Sequence, residues 1–353
     1  MELKPLKIGE LTARIPVIQG GMGVGVSLSG LAGAVAAAGG VGIISTAQIG
    51  FSCPSFDEDP IGTNLKAIGD EIAKARKIAC GGIVGVNIMV ATRRYEEYVK
   101  AAAAAGADLI ISGAGLPMTL PALVKGTKTK IAPIVSSLKS AQVILKYWLK
   151  KYDRLPDLVV IEGPKAGGHL GFSYEQLEHM EELNYDEEIR EIIGHVKDCA
   201  KQKETDVPVV VAGGIYTRED AEDAVALGAD GVQMATRFVT TYECDAPDSF
   251  KQAYLSASKE DIALVKSPVG MPGRAIKNSF YEKTLQGPIP HGRCHLCVST
   301  CKPDTTPYCI TDALVNAARG DMENALMFAG ANAYRAHHLE HVSDIMRGFE
   351  ADT

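Results

Sequence analysis

His169 is the side chain whose neighbours best suit it to move a proton. It closes the run Glu162-Gly163-Pro164-Lys165-Ala166-Gly167-Gly168-His169, which follows the β-branched stretch Val159-Val160-Ile161. An imidazole exchanges a proton near neutral pH, and glycines let backbone come close to a flat or phosphorylated ligand. A plain turn would need the glycines but not the histidine beside them, so the stretch reads as part of an active site. Glu162, ending an apolar run, is its candidate companion; it orients the loop, binds substrate or caps backbone.

Three further apolar runs open into small residues. Pro16-Val17-Ile18-Gln19 leads into Gly20-Gly21-Met22, Val209-Val210-Val211-Ala212 into Gly213-Gly214, and Gly231-Val232-Gln233-Met234 into Ala235-Thr236. The last two pairs follow the seventh and eighth strand candidates, where a parallel barrel builds a phosphate site from backbone N–H groups. Thr217 suits the cap of the helix after Gly214. A phosphate there, with glycine approach at Gly20, Gly21, Gly167 and Gly168, suits flavin mononucleotide lying across the mouth. Asn87 interrupts the apolar run Ile83–Val90, and Gln233 interrupts another; each offers an amide to the polar edge of a flavin, or bonds neighbouring backbone.

Cysteines form a second constellation. Of eight, Cys294, Cys297, Cys301 and Cys309 cluster as C-x₂-C-x₃-C-x₇-C. Four thiolates suit tetrahedral zinc or an iron–sulfur cluster. The spacing matches neither paired C-x₂-C units nor the common ferredoxin run, so zinc and [4Fe–4S] both stay open, as does a set of reduced, buried thiols.

The elements that must position these groups alternate regularly. Strand candidates are Val17–Gln19, Val41–Ser45, Ile83–Val90, Leu109–Ser112, Ile131–Val135, Leu158–Glu162, Val207–Gly213 and Gly231–Met234, with amphipathic helical stretches between them. This predicts an α/β (β/α)₈ TIM barrel. A doubly wound open sheet is the alternative, but Gly20-Gly21-Met22-Gly23 is not G-x-G-x-x-G and no ribose-binding acid follows at the right interval. Residues 46–63 form a long second βα loop. After Tyr242 the rhythm is lost, which divides the chain into a barrel over 1–243 and a cysteine-containing helical extension over 244–353 packed on the barrel mouth.

Composition narrows the partners. With 46% hydrophobic residues the chain can bury a large core without disulfides. Lys+Arg 36 against Asp+Glu 43 gives a net charge of −7, which recommends no nucleic acid. No apolar run spans a bilayer and the first residues lack a signal-peptide core, so the expectation is a cytoplasmic protein acting on a small molecule, with a homodimer compatible.

Several of these blocks, in consistent order over roughly residues 5–280, resemble the nitronate monooxygenase (2-nitropropane dioxygenase) family. They are Pro16–Gly23, Gly85-Val86-Asn87, Glu162–His169, Val211–Ile215 and Gly228–Phe238. That family includes FMN-dependent enoyl-acyl-carrier-protein reductases. The resemblance implies a TIM barrel with non-covalent FMN: Gly21 and Met22 along the flavin, Asn87 at its polar edge, Gly213, Gly214, Ala235 and Thr236 around the phosphate, and His169 as the base near flavin N5. Two positions depart from the family pattern: Lys165 where Glu is common, and Ala235 where Gly is common. The cysteine segment lies outside the part that carries the resemblance.

The expected activity is therefore FMN-dependent oxidation of alkyl nitronates to carbonyl compound and nitrite. An enoyl thioester reductase using NAD(P)H is the neighbouring alternative. A flavin- and metal-holding redox sensor without turnover and a flavin-free isomerase are alternatives of other classes.

Overall fold

The computed structural model describes residues 3–350. Near its start a hairpin, β1 (Leu6–Ile8) and β2 (Leu11–Ala13), pairs antiparallel. Eight parallel strands then close into a barrel. They are β3 (Val17–Gln19), β4 (Val41–Ser45), β5 (Ile83–Met89), β6 (Leu109–Gly113), β7 (Lys130–Val135), β8 (Val159–Glu162), β10 (Val209–Ala212) and β11 (Gly231–Met234). The register of β11 against β3, Met234 opposite Gln19, closes the ring. The predicted strands all form, most within a residue of their expected ends.

Side-chain alternation divides the barrel strands between two cores. Ile18, Ile43, Ile111, Val160 and Val210 point into the barrel, where Leu6 and Ile8 of the hairpin join them. Their neighbours Val17, Ile44, Ile110, Val159, Ile161, Val209 and Val211 point outward against the helices. This is the period-two pattern of a sheet buried on both faces. The hairpin, which the sequence pattern did not reveal, thus joins the barrel's inner core.

The surrounding helices are α1 (Ser29–Ala37), α2 (Pro60–Ala79), α3 (Tyr95–Ala104), the short α4 (Leu120–Leu123), α5 (Leu138–Tyr152), α6 (Tyr174–Glu178), α7 (Tyr185–Gln202) and α8 (Arg218–Ala226). Their starts follow local chemistry. Asp59 accepts from the Gly62 N–H with Pro60 as the first helical residue, which starts α2 four residues before the amphipathic pattern does. Ser137 and Thr217 open α5 and α8 with capping boxes, as expected for Thr217. The second βα loop, between β4 and α2, is long as predicted.

Beyond β11 come α9 (Thr236–Val239) and α10 (Asp248–Ser256), then the antiparallel pair β12 (Ile262–Lys266) and β13 (Pro272–Ile276). These are followed by α11 (Ser279–Gln286), α12 (Ile310–Arg319) and α13 (Val342–Arg347). β13 also pairs with β9 (Gly168–His169), a two-residue strand in the sixth βα loop. The extension is therefore stitched to the very loop that carries His169. At the other end, Val342, Ile345, Met346 and Phe349 join the core formed by barrel and helices. No helix among the described residues is long and apolar enough to cross a membrane.

Candidate active site

The C-terminal ends of the barrel strands surround one cavity. It is lined by Gly20, Gly21, Met22, Asn87, Glu162, Gly167, Gly168, His169, Ala212, Gly213, Gly214, Gln233, Ala235 and Thr236. Residues from five strand ends, far apart in sequence, are brought together there because a closed parallel barrel delivers every strand's C-terminal loop to one face.

Gly213 and Gly214 take φ values of +95° and +93°, a backbone bend that side-chain-bearing residues rarely adopt. The Lys165 stem lies against Gly214, where a Cβ would come within 3.0 Å of the lysine Cδ. This puts a lysine side chain beside the loop after the seventh strand. From the extension, the Asn332 side-chain amide donates to the Gly214 carbonyl at 2.6 Å, and the Gly330 N–H donates to the Thr236 hydroxyl at 3.1 Å.

The opposite wall is held by a relay of polar groups. Gln19, fully buried, donates to the Ser27 hydroxyl at 2.9 Å and accepts from the Ile43 N–H. Ser27 Oγ in turn accepts from the Met22 N–H at 3.0 Å, fixing the first glycine loop. The Asn87 amide donates only a marginal 3.5 Å bond, to the Ile111 carbonyl. Among the described residues no partner is found for the Asn87 side-chain oxygen or for the Gln233 amide, and both residues line the cavity.

His169 is held from the extension. Its Nε2 lies 2.7 Å from the Ser267 hydroxyl, and its ring meets Phe328 edge-on at 4.9 Å. Burial pushes the imidazole pKa down to about 4, so it is neutral at physiological pH. Burial pushes the Glu162 carboxyl the other way, up to about 8, which leaves it mostly protonated at pH 7. No hydrogen bond or ion pair reaches that carboxyl among the described residues, although the Tyr185 hydroxyl donates to the Glu162 backbone carbonyl at 2.9 Å. Arg274 on β13 is buried and donates to the carbonyls of Pro164 and Ala166, pinning the loop between Glu162 and His169.

Several cavity residues escaped the sequence reading. Tyr254, Leu314, Leu326 and Phe328 supply an apolar wall from the extension. Ser267 and Arg274 act through His169 and its loop. Only the loss of rhythm after Tyr242 touched on them, because their roles depend on a strand pairing that has no local signature.

The cysteines are arranged differently from the expectation. All of them are free thiols. Among the described residues no three of Cys294, Cys297, Cys301 and Cys309 bring their sulfurs within 4.8 Å of one another; the converging donor set that includes a cysteine is His295, Cys309 and Asp312. A single ion held by four thiolates needs sulfurs about 3.8 Å apart, given Zn–S bonds of about 2.3 Å. The four thiols do not form a preassembled tetrahedral site among the described residues. The path between them is irregular: a 3₁₀ turn at Pro303–Thr305 intervenes, and Cys309 sits at the N-cap position of α12 with its thiol making no capping hydrogen bond.

The sequence profile of the nitronate monooxygenase family matches residues 4–350, so it runs through the cysteine segment as well as the barrel. Among curated proteins, the (3aS,4S,5R,7aS)-5-hydroxy-7a-methyl-1-oxo-octahydro-1H-indene-4-carboxyl-CoA dehydrogenase of Rhodococcus jostii is 26% identical over 273 residues, covering 75% of this chain and 63% of that one. A probable nitronate monooxygenase of Staphylococcus saprophyticus is 25% identical over 307 residues, covering 80% of this chain and 81% of its own. The chain spans less than two thirds of the length of the dehydrogenases it matches. Among solved structures, FabK from Thermotoga maritima superposes with a TM-score of 0.69 at 24% identity, over 96% of this chain and 94% of that one, which establishes likeness of fold.

Proposed function

The chain belongs to the nitronate monooxygenase family of oxidoreductases, and from that premise we propose that it binds FMN in the barrel-mouth cavity and oxidises alkyl nitronates. The observation that carries this reading is the convergence of unpartnered amides and phosphate-type loops on one cavity. The Asn87 oxygen and the Gln233 amide present donors and acceptors matched to the polar edge of an isoalloxazine. Gly213, Gly214, Ala235 and Thr236, with Lys165 against Gly214 and lining the same cavity, suit the phosphate. The lysine that departs from the family pattern thus serves the cofactor's anion rather than the substrate. When bound, FMN supplies the electron-transfer chemistry between nitronate and dioxygen.

The chain's own groups suit an anionic substrate that is already deprotonated. Below its pKa of about 8 the Glu162 carboxyl can donate a hydrogen bond to a nitronate oxygen. Neutral His169, held by Ser267, orients the substrate and accepts the α-proton when a neutral nitroalkane is offered. Phe328, Leu326 and Leu314 keep water from the reacting face. The test has two parts. Denaturation of purified protein should release FMN, not FAD, and the holoenzyme should convert alkyl nitronate to nitrite with oxygen uptake. A well-folded preparation that takes up no flavin at micromolar FMN sinks the reading.

One feature favours a second reading. The apolar wall of Leu314, Leu326 and Phe328 would also accommodate an acyl chain, as in an enoyl thioester reductase drawing electrons from NAD(P)H. Anaerobic bleaching of the flavin by NAD(P)H, followed by reoxidation with an enoyl thioester and none with nitronate, would select that reading.

A further inference from the structure

We propose that His295, Cys309 and Asp312 form a mixed nitrogen, sulfur and oxygen site for one zinc ion, which ties the segment carrying His295, and through its ring contacts with Phe56 and Asp57 the second βα loop, to helix α12. The proposal is independent of the flavin reading. The donor atoms of these three half-buried residues lie within 4.8 Å of one another. The His295 ring is the decisive group. Its Nδ1 is buried without a hydrogen-bond partner, the one such side-chain atom found among the described residues. A buried, unpaired ring nitrogen is costly, and native structures seldom keep one without a ligand.

The nearest oxygen does not relieve it. Asp312 Oδ1 is 3.5 Å from Nδ1, at the limit for a hydrogen bond and without the alignment of one. The same separation suits two ligands on one ion, because bonds of about 2.1 Å at the tetrahedral angle place ligand atoms about 3.4 Å apart. On the far side of the ring, Nε2 lies 3.2 Å from Asp57 Oδ1. That contact puts the proton on Nε2 and leaves the Nδ1 lone pair for a metal. A histidine ligand whose other nitrogen donates to a carboxylate is the usual outer arrangement of a zinc site. Phe56 stacks on the imidazole with ring centroids 5.2 Å apart and fixes its plane.

The donor chemistry selects the ion. One thiolate, one imidazole and one carboxylate suit zinc better than calcium or magnesium, which take oxygen ligands. Thiolate and carboxylate together balance its charge. Cys309 and Asp312 sit at the start of α12, whose Leu314 and Ala317 line the barrel-mouth cavity, while Asp57 and Phe56 belong to the second βα loop. An ion here would therefore fix the position of one cavity wall. Three protein ligands leave a fourth place for water.

Metal analysis of the full-length protein, dialysed after exposure to zinc chloride alone, tests this. About one zinc per chain is expected, retained in the Cys294→Ser and Cys301→Ser variants and lost in His295→Ala and Asp312→Asn. Should the latter variants fail to fold, X-ray absorption at the zinc edge of the unmodified protein decides, with one sulfur at about 2.3 Å expected among nitrogen and oxygen ligands. Absence of tightly held zinc overturns the proposal. So does a shell of four sulfurs, or iron with sulfide that disappears in the Cys294→Ser and Cys301→Ser variants.

Discussion

The barrel mouth and the cysteine segment were both singled out by residue type and spacing, yet the fold treated them differently. Every residue expected at the mouth lines one cavity. Of the four expected thiols, only Cys309 belongs to a converging donor set, and its companions are a histidine and an aspartate. Regular architecture makes the difference. In a closed parallel barrel the strand register dictates where each C-terminal loop arrives, so a residue's place in its strand translates into a place in space. In an irregular loop, separation along the chain fixes only the greatest distance two side chains can have.

The sharpest way to break the mouth is through the loop that the extension clasps. A Cβ on Gly167 would lie 2.5 Å from the Ala329 carbonyl carbon and the Gly330 nitrogen, both backbone atoms that cannot swing away. Gly167→Val should therefore displace the 329–330 segment, and with it the Gly330 bond to Thr236. We expect loss of bound flavin and destabilisation by about 3 kcal/mol or more. Flavin content and thermal unfolding check this; near-normal flavin content would mean that the extension does not shape the cavity.

That clasp also marks where the sequence stops being legible. The eight strands could be read because they are short apolar runs rich in β-branched residues, about half of them closed by glycine, and the helices because their apolar faces recur with helical period. The β1–β2 hairpin could not, since Leu6–Ile8 and Leu11–Ala13 each have a polar residue at the centre and lack the apolar run into glycine that marks the equally short β3. Nor could the pairing of β13 with β9, which brings Arg274 beneath the Pro164–Ala166 loop and Ser267 to His169. Such pairings depend on tertiary placement. His295 stayed hidden for a related reason: cysteine spacing drew the eye to sulfur, while its true neighbours, Asp57 and Asp312, flank it from two distant segments.

Removing the His169 side chain should have the next largest effect. His169→Ala is expected to keep flavin, because the ring lies against Ser267 and Phe328 rather than holding a loop. Turnover of neutral nitroalkane should fall by roughly a hundredfold or more, the usual worth of general base help, with preformed nitronate much less affected. Parallel steady-state assays on the two substrate forms separate the cases. Equal loss on both would make His169 a positioning residue alone.

A smaller effect belongs to Glu162 and depends on pH. Its carboxyl is raised to about 8, so it is neutral and able to donate below that value and anionic above it. An anionic carboxylate repels a nitronate, so kcat/KM for nitronate should decline as pH rises through about 8, by up to tenfold per pH unit at the steepest. In Glu162→Gln the amide remains a neutral donor and the decline should vanish. A decline that persists unchanged in the variant would assign it to another group.

The smallest effect tests the cysteine segment by what should not change. Cys294 is exposed and Cys301 only half-buried, and neither belongs to the donor set around His295. Replacing both by serine removes two thiols without opening a cavity or stranding a buried polar group, so stability should shift by no more than about 0.5 kcal/mol. Turnover should stay within about twofold, since neither residue lines the barrel-mouth cavity. His295→Ala is the counterpart. Losing the ring strips Phe56 of its stacking partner and Asp57 of its hydrogen bond, and should cost about 1 to 3 kcal/mol even before any ion is counted. Denaturant titration of the two variants side by side measures the gap. If the double serine variant proves the less stable of the two, the weight of this segment rests on its thiols after all, and spacing along the chain was the better guide to them than geometry.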